Sequence, residues 1–195
     1  MPEPTTLADL PPAARHQAVA ERFTAVVRAV GDWEATTPVD GWVARDVVRH
    51  LVEWFPDFLA AGGIDLPTGP PVDDDPVAAW EAHVAAVQEV IGDEETAAGE
   101  FSHPQAGTHR LADAVDRFYT ADVFMHTWDL ARAIDLDPTL DPTWCDQMVV
   151  GMEPLDEMLR ASGQYGPRFP VAYGADPETR LVAFIGRDPN WKPGA

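Results

Sequence analysis

Only one cysteine, Cys145, and one lysine, Lys192, occur among the 195 residues. A lone cysteine forbids an intrachain disulfide and excludes a cysteine-based zinc site. Basic residues are scarce, with 13 Lys+Arg against 33 Asp+Glu and a formal charge of −20 at pH 7. That balance repels phosphates at long range, which excludes nucleic acid and anionic membrane surfaces as partners. No run approaches the ~18 consecutive apolar residues of a membrane-spanning helix. The start, Met-Pro-Glu-Pro-Thr-Thr, lacks the basic segment and apolar run of a signal peptide, so a cytoplasmic protein is expected. Phosphate-cradling glycine loops, nucleophile elbows and HExxH stretches are missing as well.

What is present is a globular composition. Hydrophobic residues make up 46%, too many for a disordered acidic chain. At roughly 150 residues per domain the length suggests one domain. A chain of this size buries about 70% of the surface its unfolded form exposes, so it needs no metal merely to fold.

Helical periodicity recurs along the chain. Val19, Phe23, Val26, Val27 and Val30 mark a first helix over 11–30, with prolines before it and Gly31 after. Val43, Val47, Leu51, Trp54 and Phe58 mark a second over 43–60, which Pro56 should kink or shorten. Asp73, Asp74, Asp75 and Pro76 suit the start of a third, with Trp80, Val84, Val87 and Ile91 on its buried face. Residues 92–108 read as a polar loop, 110–134 as a long fourth helix and 142–161 as a fifth. Leu181–Ile185 reads as a short helix or strand. With no convincing hairpin or β-α alternation, the pattern predicts an all-α, up-and-down helical bundle. Residues 1–163 would form that bundle, and 164–195 a C-terminal tail packed on it.

Polar residues interrupt two apolar stripes. His50 stands between Val47 and Trp54, and the fourth helix reads Leu111, Val115, Phe118, Asp122, His126, Leu130, Ala133. A buried carboxylate needs a compensating partner. Asp122 and His126, four residues apart on one helix, point the same way and can reach one ion. His50 from a facing helix completes a two-His, one-carboxylate set, which leaves open positions as catalytic metal sites do. The set matches catalytic zinc sites, and it could also hold non-haem iron or nickel, since geometry rather than residue type decides. With 33 acids in 195 residues, a histidine has an acid four positions before it about one time in six, and two of the six do. Spacing therefore also allows a plain imidazole–carboxylate hydrogen bond.

Around this set, Trp54 and Trp128 could line a pocket. Asp129 could orient His126 or pair with Arg132. Asp46, in the first turn of its helix, reads as a cap rather than a ligand. His16, His83, His103 and His109 read as surface residues, and Cys145 as a small packing residue.

Gly41-Trp42-Val43-Ala44-Arg45-Asp46-Val47-Val48-Arg49-His50-Leu51-Val52 resembles the second-helix signature of the DinB-like, mycothiol-dependent maleylpyruvate isomerase superfamily. Asp122-Val123-Phe124-Met125-His126-Thr127-Trp128-Asp129-Leu130-Ala131-Arg132-Ala133 resembles its second metal-binding segment. The ending, from Leu181 through Gly186-Arg187-Asp188-Pro189 to Trp191, resembles the tail of a short actinobacterial branch. The resemblance implies a DinB-like four-helix bundle holding zinc or nickel on His50, Asp122 and His126. Asp122 stands where the isomerase has Glu, and a short tail stands where the isomerase has a separate C-terminal domain. A low-molecular-weight thiol such as mycothiol would be the cosubstrate, and a small electrophile the substrate of transfer or isomerisation. A non-catalytic metal-binding or stress-associated role is the alternative, and a homodimer is compatible with either.

Overall fold

The computed structural model describes residues 6–194. It is mostly helical, with one small two-stranded sheet. After a short 3-10 turn (Leu7–Asp9) come α1 (Pro12–Ala29), α2 (Ala44–Ala61), α3 (Pro76–Gly92) and α4 (Glu94–Ala98). Strands β1 (Glu100–His103) and β2 (Gly107–Arg110) form an antiparallel hairpin, pairing Phe101 with His109. Helix α5 (Leu111–Ala114) runs through a π-helical segment (Val115–Thr120) into α6 (Ala121–Ala133). Then follow α7 (Pro142–Met152), a 3-10 turn (Glu153–Leu155), α8 (Asp156–Ala161) and α9 (Pro177–Phe184).

Two of these differ from the sequence expectation. The 92–108 stretch is a short helix and a hairpin rather than a loop. Phe101, fully buried, anchors that hairpin on the end of α2. There a Cβ on Gly62 would lie 2.1 Å from the Phe101 ring, so only glycine fits. The expected fifth helix is divided at the 3-10 turn containing Pro154, where proline removes a backbone donor. Of the two expectations for 181–185, the structure has the helix: Leu181–Phe184 end α9, Ile185 caps it, and all five are buried. Conversely, Pro56 does not end α2, which runs unbroken past it.

Helix α1 packs on α3, α6 and the π-helical segment, while α2 packs on α3 and α6. Helix α7 packs on α9 and on the Leu7–Asp9 turn. The shared core includes Phe23, Leu51, Phe55, Trp80, Tyr119 and Leu130. Two stripes depart locally from their expected line. On α2, Phe55 and Leu59 are fully buried while Trp54 and Phe58 are half-exposed at the core's edge. On the π-helical segment Tyr119, not Phe118, is fully buried. A π turn accommodates an extra residue, which moves the inward position on by one.

Two histidines expected on the surface are in the core. His16 and His83 are 0% and 5% exposed, both against Tyr119. His103 and His109 are half-buried on the hairpin. Cys145 is buried as expected, and burial pushes its thiol up to about 12. An aromatic disulfide reagent is expected to leave it unmodified in the native protein and to titrate one thiol per chain after unfolding. Stoichiometric reaction of the folded protein would contradict this packing.

Candidate metal centre

His50 projects from the second turn of α2, and Asp122 and His126 from α6 just beyond the π-helical segment. Val43 ends the preceding bridge with Thr36 and donates its N–H to Asp46 Oδ2 at 3.0 Å, which starts α2. Asp46 is thus a cap, as its position predicts, and also pairs with Arg49.

His50, Asp122 and His126 each offer one donor atom within 4.8 Å of the others. Nε2 of His50 lies 3.0 Å from Asp122 Oδ2. Nε2 of His126 lies 3.6 Å from Asp122 Oδ1, beyond hydrogen-bond reach. Ligands of a tetrahedral ion at ~2.1 Å sit roughly 3.4 Å apart, so this spacing fits a divalent cation after small side-chain adjustments.

The donor set has the right chemistry as well. Nδ1 of His126 lies 2.9 Å from Asp129 Oδ2, and Asp129 is fully buried. An ionised carboxylate only accepts, so Asp129 holds a proton on Nδ1 and leaves Nε2 as the atom that faces Asp122. A lone pair aimed at a carboxylate is stable only with a proton or a cation between them. Burial opposes charge on His126, yet Asp122 and Asp129 outweigh it and raise its pKa above the ordinary imidazole value. Burial likewise works against an ionised Asp122, but His126, His50 and the Trp54 N–H together lower its pKa. Positive charge on His126 is thus favoured by the two carboxylates beside it.

Side-chain exposure is 33% at His50, 19% at Asp122 and 7% at His126, so the approach is from the His50 side. Trp54 Nε1–H donates to Asp122 Oδ2 at 3.0 Å, as its expected place beside the ligands requires. Trp128 is placed elsewhere. Two residues from His126 on the same helix, it faces a different direction. Its Nε1–H donates to Glu178 of α9 at 3.2 Å. Trp42 supplies the second aromatic wall instead, its ring stacked 5.7 Å from His126 and tilted 5.2 Å from His50. Asp129 orients His126 as anticipated, but pairs with Arg187 rather than Arg132.

Trp42 and Arg187 are the site residues that periodicity could not reach. Trp42 precedes its helix, and Arg187 is 58 residues from its partner. No helix of the described residues is long and apolar enough to cross a membrane. Two proteins described as uncharacterized, from Mycobacterium tuberculosis strains CDC 1551 / Oshkosh and ATCC 25618 / H37Rv, are similar to this chain. Each is 26% identical over 191 residues, covering 90% of this chain and 97% of the relative. No protein-family model and no solved structure matches.

Proposed function

We propose that this is a cytoplasmic protein that binds one divalent cation on His50, Asp122 and His126. It would use the ion in thiol-dependent transfer to, or isomerisation of, a small electrophile. The observation that carries the metal half is the donor geometry, three ligand atoms from two helices within 4.8 Å of one another. Zinc is the first choice, with nickel or iron as alternatives, because two imidazoles and a carboxylate suit all three. In this reading α1, α2, α3 and the α5–α6 rod form the four-helix bundle that holds the ligands.

A divalent ion there would make a bound thiol or water acidic enough to ionise near neutral pH. The chain's residues prepare for that. The buried Asp129 holds the His126 proton on Nδ1 and so keeps Nε2 available. Trp54 fixes the Asp122 carboxylate, and Trp42 covers the imidazoles. Three protein donors leave positions for an exogenous ligand entering beside His50. The choice of mycothiol as that ligand comes from the resemblance of the two ligand segments to the isomerase superfamily.

A second reading has its own support. His50 and Trp54 both contact Asp122 Oδ2 directly at 3.0 Å, as they would in a self-satisfied polar network or a purely stabilising site. Metal analysis of protein purified without added metal separates these readings. Wild type is expected to carry about one ion per chain and the His50→Ala/His126→Ala variant almost none. Negligible metal in both would overturn the metal reading. Wild type should then consume mycothiol with an electrophile faster than the variant does. Metal without such turnover would leave the non-catalytic role.

A further inference from the structure

We propose that Arg187 is a positioning residue for His126, delivered by the C-terminal segment and acting through Asp129. The inference rests on the metal reading above and adds to it a requirement on a distant part of the chain.

Helix α9 ends in a glycine turn. Gly186 N–H donates to Ala183 O at 3.2 Å and Arg187 N–H to Val182 O at 3.0 Å, the paired bonds of a Schellman motif. Gly186 has φ +90°, and a Cβ there would lie 2.8 Å from Gly166 Cα. Both the left-handed turn and the close backbone passage therefore demand glycine. Arg160 binds this junction from α8, donating to Phe184 O at 2.5 Å and also to Gly166 O.

The turn brings the Arg187 side chain onto α6. Its Nε donates to Asp129 Oδ1 at 3.0 Å and its Nη2 to Oδ2 at 3.1 Å. That two-point fork orients the carboxylate plane as well as neutralising it. Asp129 is 0% exposed and, without such a partner, would be an uncompensated buried charge. With both oxygens held by Arg187, Oδ2 sits 2.9 Å from His126 Nδ1 and sets both the tautomer and the ring orientation. Arg132, the arginine nearest in sequence, is committed elsewhere, to Trp191 O at 2.8 Å.

The test uses the full chain as wild type, Arg187→Met, Arg187→Lys and Gly186→Ala. Zn²⁺ affinity is read by competition with a chromophoric chelator, and ligand geometry by the visible absorption of Co²⁺. Loss of an outer-shell partner typically weakens metal binding about 10–100-fold. We expect that loss in Arg187→Met, with an altered Co²⁺ spectrum. Arg187→Lys keeps the charge and the fold but not the fork, so it should recover part of the affinity. Gly186→Ala keeps the arginine and displaces it, so it should weaken binding too. A Co²⁺ band shift in the folded Arg187→Lys protein separates positioning from general destabilisation. Wild-type binding matched by Arg187→Met or, should that not fold, by Arg187→Lys, with an unchanged Co²⁺ spectrum, would overturn the inference and leave the metal reading intact. Failure of wild type to bind either ion would overturn both.

Discussion

Replacing Asp129 by alanine is expected to cost about 3–5 kcal/mol of folding stability, because it strands the buried Arg187 guanidinium. Arg187 is held at Nε and Nη2 by Asp129 and has a side-chain exposure of 14%. His126 loses its Nδ1 partner in the same step. For a domain of this size, 1 kcal/mol moves the melting temperature by roughly 2–4 °C, so a fall of about 10 °C is expected. Urea unfolding with chelator present measures the effect free of any contribution from bound metal. Asp129→Leu/Arg187→Met removes both charges together and should lose much less than Asp129→Ala, since paired apolar replacement of a buried ion pair is often near neutral. A loss under 1 kcal/mol in Asp129→Ala would mean that the guanidinium finds water or another acceptor.

Acid is expected to destabilise the protein well above the carboxylate range, through His16 and His83. Burial lowers His83 to about 4. Burial, with His83 nearby, lowers His16 to about 3. Nε2 of each ring has no hydrogen-bond partner among the described residues, while His16 Nδ1 sits 3.2 Å from Thr120 Oγ1. Unfolding lets both imidazoles take a proton near pH 6.5. The unfolded state then binds more protons, so stability rises with pH in this window. It is fully present above about pH 7 and falls as pH drops from 6.5 towards 4. Each group contributes up to ~1.4 kcal/mol per pH unit, and the pair together roughly twice that. Asp122 and Asp129, whose carboxyls are held below the ordinary range, withdraw their contributions only below about pH 4. His126 and Asp116 act in the opposite direction: burial raises the Asp116 carboxyl to about 6, and each raised pKa adds stability that is lost as pH rises through it. Urea midpoints between pH 7.5 and 4.5 should therefore fall towards acid, with Asp116 offsetting about one of the two imidazoles below pH 6, and His83→Leu should flatten the profile. A flat wild-type profile over that range would contradict burial of the two neutral imidazoles.

The same two histidines mark a limit of reading apolar stripes by residue type. His16 continues the α1 stripe at 16, 19, 20, 23, 26 and 27, and His83 occupies an inward place on α3 beside the expected Val84. Their spacing was legible; what hid them was that imidazole is polar. The π-helical segment is a different case. Nothing in Val115–Thr120 announces the wide turn that buries Tyr119 in place of Phe118, where its ring meets Phe55 of α2, His83 of α3 and His16 of α1. The hairpin at 100–110 has four-residue strands, too short for an alternating pattern to stand out.

Within the candidate centre, the division follows sequence distance. Asp122 and His126 could be paired from the sequence because four residues on a helix bring two side chains to one face. His50 could be matched to them because each interrupts an apolar stripe, and a buried carboxylate such as Asp122 needs a compensating partner. The chain itself therefore determined the helical class and the three candidate donors. Tertiary structure alone decided which aromatic rings wall the donors and which cation holds Asp129 against His126. Trp128 turns to α9, Trp42 arrives from the loop before α2, and Arg187 reaches Asp129 across 58 residues. Periodicity reports which way a side chain faces on its own helix, whereas these contacts depend on how separate segments cross. At Arg187, that crossing is set by a single glycine turn at the end of α9.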